Sequence, residues 1–130
     1  MHSAYFETHF DAHGFAGPWP REFVIITACA TTGEQWSRTR NETANQELER
    51  ELERMNLWRQ RVTGYSPSTG HAEPGWAVEL SYPDACDLGR KFHQDAIYHV
   101  SDDHLTVSHC DERREKIPVG TFQERLHRMP

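Results

Sequence analysis

Six consecutive residues, Phe23-Val24-Ile25-Ile26-Thr27-Ala28, are apolar on both faces of an extended chain. A strand of that kind has to be covered on both sides, so it belongs at the centre of a sheet with material packed above and below. Covering it takes apolar area, and Leu, Ile, Val and Phe supply only 23 of the 130 residues. That share sits at the lower edge for a folded chain. Four Trp, four Tyr and six Phe restore the deficit, because each large ring buries a great deal of surface. The length leaves room for one domain.

The first helix after this strand has a spelled-out start. Thr39 and Glu42 stand at capping-box spacing, and Leu48, Leu52 and Met55 recur at helical intervals up to about Asn56. Its outer face is Glu and Arg, which is solvation rather than chemistry. Residues 58–64 alternate as a half-exposed strand, and residues 65–75, with two Pro and two Gly, read as a loop. Trp76, Val78 and Leu80 alternate as a third strand. Ser81 and Asp84 then repeat the cap spacing for a second helix, with Pro83 in its first turn and Ala85, Leu88, Gly89 and Phe92 on its buried face. Residues 96–100 and 104–109 form a hairpin whose Asp102-Asp103 turn pairs Val100 with Leu105 and Tyr98 with Val107.

The order β-α-β-β-α-β-β predicts an α+β domain: a mostly antiparallel sheet with two helices on one face. This is a split βαβ, ferredoxin-like order with one strand added. Residues 1–22 form an aromatic arm carrying Tyr5, Phe6, Phe10, Phe15 and Trp19. Five such rings are expected to pack on their own domain or, in a homodimer, on a partner's. Residues 23–110 are the core, and 111–130 a charged tail with a short helix over 122–129.

Charge narrows the function classes. Twenty acidic against 14 basic residues give a net charge of −6, with no basic stripe to meet phosphates, so nucleic acid is not indicated. No apolar run approaches a membrane span and the N-terminus lacks a signal-peptide layout, so no membrane role and a cytosolic location are expected. Cys29, Cys86 and Cys110 lie far apart, as reduced thiols do. Cys29, just past the central strand, is a weak nucleophile candidate with no base identifiable beside it. No phosphate-binding or dinucleotide-binding motif is present, and no cofactor is expected.

The first helix carries the most informative detail. Asn41 and Asn45 continue the stripe of Leu48, Leu52 and Met55, so its buried face begins with two amides. Buried amides need partners, at about 1–3 kcal/mol each if left without them. They either brace the neighbouring loop or line a polar pocket near the helix N-terminus.

These residues belong to a wider pattern. Tyr5 and Thr8, Ile26-Thr27-Ala28, Gly33, Asn41-x-x-x-Asn45-x-x-Leu48-x-x-x-Leu52, Gly64, Glu73 and Leu88-Gly89-x-x-Phe92-x-Gln94-x-Ala96 occur in order. In them the chain resembles the bacterial domain-of-unknown-function family 3293, from Tyr5 to about Val107. The resemblance implies no activity, but it implies that Asn41, Asn45, Glu73 and Gln94 form a shared polar set. Two departures stand out. Ala30-Thr31 replaces an Asn-Pro pair, removing any contact made by that Asn. His93 replaces a Gly, which disfavours a left-handed backbone there.

Nine histidines invite a metal. His99 and His104 share the hairpin face opposite Tyr98 and Leu105 and are the best candidates. That face also holds Thr106 and Ser108, read as solvent-facing, and no metal site is expected. The leading expectation is a small domain that binds a small polar or anionic ligand, or a protein partner, between the loop after the first strand and the start of the hairpin. Asn41, Asn45, Glu73 and Gln94, with Thr27 and Arg40 nearby, are the expected ligand-binding residues. One alternative is an enzyme with Glu73 as general acid or base and Asn41 and Asn45 as polar stabilisers. The other is a purely structural or homodimeric module.

Overall fold

Both faces of the central strand are covered, by different means. The structure is a computed structural model that describes residues 3–28, 37–111 and 115–130. Cys29, Gly33 and the Ala30-Thr31 step lie outside the described residues. After a 3-10 turn at Ser3–Phe6 come β1 (His9–Asp11), β2 (Glu22–Thr27), α1 (Arg38–Met55), β3 (Arg59–Tyr65) and β4 (Ala72–Val78). Then follow α2 (Tyr82–Lys91), β5 (Ala96–Ser101), β6 (His104–His109), β7 (Lys116–Thr121) and α3 (Phe122–Arg125). The α+β sheet has seven strands in the order β1-β3-β4-β2-β5-β6-β7, every neighbouring pair antiparallel.

Val24 and Ile26 of β2 meet the two long helices, packing with Leu48, Leu52, Ala85, Leu88 and Phe92. Phe23 and Ile25 point the other way, into a second core with Tyr5, Phe10, Tyr98 and Phe122. Among the described residues no long helix covers that side. The sheet curls over it instead, and its two margins meet where Phe10 of β1 forms a parallel bridge with Leu126, just past α3. The backbone N–H of His127 donates to the Phe10 carbonyl at 2.8 Å. Rings fill the enclosed space: Trp19 stacks on Phe23 with centroids 5.3 Å apart and meets Phe122 edge-on at 4.9 Å. The rings of the aromatic arm thus lie against this curled sheet.

Several sequence expectations need correction. Helix α1 is capped by Ser37, whose hydroxyl accepts from the Arg40 N–H, two residues before the expected Thr39. Strand β4 begins at Ala72, inside the expected loop, so only the turn from Ser66 to His71 is irregular. The outer hairpin face opens to solvent only towards its turn, at exposed His104 and half-buried Thr106. Ser108 is fully buried and receives the Tyr82 hydroxyl at 2.6 Å, and His99 is buried beside the Tyr82 ring. The expected hairpin register holds, with Val100 opposite Leu105 and Tyr98 opposite Val107. Asp102 and Asp103 both take positive φ, as a two-residue turn of this hand requires.

His93 is the instructive correction. Its φ is +59°, so this residue takes the left-handed position without being a glycine. The N–H of Gln94 reaches the Gly89 carbonyl at 2.8 Å, and that of His93 reaches the Arg90 carbonyl at 3.1 Å. This pair of bonds is a Schellman ending to α2, which needs one left-handed residue. It fixes the direction in which Gln94 leaves the helix.

Candidate functional site

The inward stripes of the curled sheet change character along their length. On β2, Phe23 and Ile25 are followed by Thr27; on β4, Ala77 and Gly75 are followed by Glu73. Period-two alternation thus carries Thr27 and Glu73 into the same end of the interior. Gln94 joins them from the end of α2, and Tyr98 from β5. Together with Tyr5, Phe10, Tyr65 and His71 they line a pocket of about 60 Å³. That is space for several waters or a head group of a few heavy atoms.

The hydrogen bonds give each group a role. Gln94 Nε2 donates to the Phe92 carbonyl at 3.2 Å, which turns its Oε1 towards Thr27. The Thr27 hydroxyl donates to that Oε1 at 3.1 Å. The same hydroxyl also bonds to the Glu73 carboxyl in the sense that favours its ionised form, so Gln94 Oε1 and Glu73 compete for one hydrogen. The other side of the carboxyl meets His71, whose Nε2 lies 3.1 Å from Oε1. His71 is largely exposed while the Glu73 side chain is mostly covered. Burial pushes the Glu73 carboxyl up from the usual carboxylate range, and its bonds to His71 and Thr27 offset part of that rise. The Tyr98 phenol is raised as well, first by burial. Its hydroxyl bonds back to the Tyr5 carbonyl and to Thr8, both at 2.8 Å, tying the arm to the pocket wall.

A testable consequence follows from the sign of the Glu73 shift. A carboxyl raised in the folded state stabilises fully below its ordinary value of 4.5 and loses that contribution as pH rises through the folded value. Glutamine copies the shape and donor of the protonated acid. Glu73→Gln should melt level with the wild type near pH 4 and a few degrees above it near pH 8. Calorimetric scans at the two pH values read the difference, and an offset independent of pH would contradict the assignment.

Thr27, Glu73 and Gln94 come together; the other expected residues lie elsewhere. Asn45 lines a separate cleft between α1 and the β3–β4 pair, with Glu49, Arg61 and Trp76. Half-buried Asn41 stands one turn earlier on α1. Exposed Arg40 borders a third cleft, between α1 and α2, with Arg50 and Lys91. The sequence reading missed Tyr98, Tyr65 and His71 as pocket residues. Tyr98 was readable only as core from its alternation, and His71 fell in a supposed loop.

His99 and His104 do not converge. His99 is buried opposite Thr106, with Glu22 Oε1 at 3.6 Å from Nε2, whereas His104 is exposed opposite Ser101. Burial, then the nearby Lys116 charge, lowers the His99 pKa. Among the described residues no group of three or more His, Cys, Asp or Glu is placed to hold a metal.

Comparison with known families gives one match. Residues 26–97 match the family described as "Protein of unknown function (DUF3293)". The chain belongs to that family. No curated protein and no solved structure matches. The matched span includes Thr27, Glu73 and Gln94, while Tyr98, Tyr5 and the closing tail lie outside it. No helix among the described residues is long and apolar enough to cross a membrane.

Proposed function

We propose that this DUF3293 domain binds a small polar ligand at the end of its sheet interior, where Thr27, Glu73 and Gln94 meet. One observation carries the reading: a carboxyl sits among aromatic rings, mostly covered, with the exposed His71 ring as its neighbour towards solvent. A carboxyl in such surroundings weakens the fold when ionised, so a structural role alone would be served better by an apolar residue. The few convergent polar groups on an apolar wall match the general make-up of small-molecule sites. In this reading Asn41, Asn45 and Arg40 belong to the surface of α1 rather than to the ligand. The buried free thiol of Cys86 suits a cytosolic setting.

Amide-resolved NMR of the intact chain against fragments of the main charge types tests it. Saturable shifts should centre on Thr27, Glu73, Gln94 and Tyr98. If every fragment that binds moves only the Arg40–Lys91 cleft or the Trp76 cleft, the proposal falls.

A further inference from the structure

We infer that the head group accepted by the Glu73 pocket is a small ammonium, the end of a primary or methylated amine. This rests on the pocket being a ligand site and adds the chemistry of what enters it. Three features point the same way.

The first is the balance of donors and acceptors. The Thr27 hydrogen goes to Gln94, Gln94 Nε2 donates to Phe92, and the Tyr98 hydroxyl is turned back to the arm. A carboxylate or carbonyl ligand would find the Thr27 and Tyr98 hydrogens engaged. A ligand rich in N–H finds the Glu73 carboxyl. The second is charge. Among the described residues no Lys or Arg lines the pocket, and Glu73 is the acid in its lining. The third is the wall. Tyr5, Phe10, Tyr65 and Tyr98 surround a space of about 60 Å³, and aromatic faces attract cations within about 6 Å, most strongly where water is excluded. A space that small takes the head of an amine and leaves its substituent pointing past His71.

The proton balance closes. Burial favours the form of Glu73 that carries a proton. A neutral amine that enters takes it: the Glu73 O–H bond breaks, a new N–H bond forms, and an ammonium–carboxylate pair remains with no net change in charge. An amine already protonated in water displaces one proton to solvent instead. The titratable groups facing Glu73 are His71 from the turn before β4, Tyr98 from β5, Tyr65 from β3 and Tyr5 from the arm.

The probes are ethylammonium, acetamide and acetate, each titrated into the intact chain at 150 mM salt and followed by amide NMR. Ethylammonium should move Thr27, Glu73, Gln94 and Tyr98 saturably in the millimolar range, while acetamide and acetate leave them in place. Glu73→Gln should weaken ethylammonium at least about tenfold, as expected on losing one side of a charge-assisted bond. Tyr65→Leu, which keeps the carboxyl and removes a ring, should weaken it severalfold. If acetamide or acetate saturates these residues and ethylammonium does not, the ammonium assignment fails and the ligand site stands. If ethylammonium shifts only the surface carboxylates of α1, or binds Glu73→Gln as well as wild type, the assignment fails too. If all three probes leave the pocket unmoved, the ligand site itself is overturned.

Discussion

Phe10→Ala is expected to remove about 3–5 kcal/mol of stability, the range for truncating a fully buried ring. Phe10 has no exposed surface, meets Tyr98 edge-on with centroids 5.0 Å apart, and lies 5.9 Å from Phe122. Its backbone also holds β1 against Gly64 of β3 on one side and the Leu126–His127 segment on the other. One side chain therefore anchors the arm, the tail and the roof of the aromatic core together. Single domains are stable by only about 5–15 kcal/mol, so the variant should be marginal at body temperature. Urea unfolding measures it, with Phe15→Ala in the half-exposed part of the arm as the comparison. A Phe10 loss below about 1 kcal/mol, or one no larger than that of Phe15, would show that the arm does not hold the curl closed.

Gly75→Ala is the second large effect. Gly75 pairs with Thr27 across β2 and β4, and a Cβ there would stand 2.6 Å from the Ile26 carbonyl oxygen and 2.8 Å from Thr27 Cγ2. The first of these is backbone at the sheet centre and cannot rotate aside. The strands must part, at about 1–3 kcal/mol or somewhat more for overpacking of this kind. The movement acts on Thr27 directly, so the link between Gln94 and Glu73 should loosen as well. Gly64→Ala is milder, because its nearest neighbour is a Thr8 methyl at 3.3 Å, the movable end of a side chain. Melting temperatures should rank wild type, Gly64→Ala, Gly75→Ala from high to low. A reversed order of the two variants would contradict the account.

What the sequence revealed depended on how local the deciding interaction is. The hairpin register follows from Tyr98, Val100, Leu105 and Val107 together with a two-residue turn, all within a dozen positions. The start of α2 is equally local, with Ser81 accepting from the Asp84 N–H. By contrast β1 has three residues, and its partners are Thr63, Gly64 and Tyr65. Strand β7 contains Pro118 and Gly120 and shows little apolar pattern, so nothing nearby announces it. The start of α1 was misplaced because Ser37 and Thr39 both have a side chain suited to capping.

The candidate site divides along the same line. Glu73, Gln94 and Thr27 were picked out, two of them through the family resemblance. Their meeting place is not legible there, because the two Pro and two Gly of residues 65–75 read as a loop around Glu73. Once β4 extends back to Ala72, alternation alone turns Glu73 inward. Asn41 and Asn45 follow a true helical stripe, yet their stretch of α1 lies alongside Trp76 and Arg61 rather than over the pocket.

The meeting of Phe10 with residues 126 and 127 also sets a schedule for biosynthesis. Synthesis proceeds from the N-terminus, so Phe10 and Trp19 are made before partners that lie more than 100 residues later. Contacts of that separation close late in folding, after local helices and hairpins have formed. During that interval part of the aromatic core lies uncovered, and the Phe10 wall of the Glu73 pocket still lacks its contacts with Phe122 and Leu126.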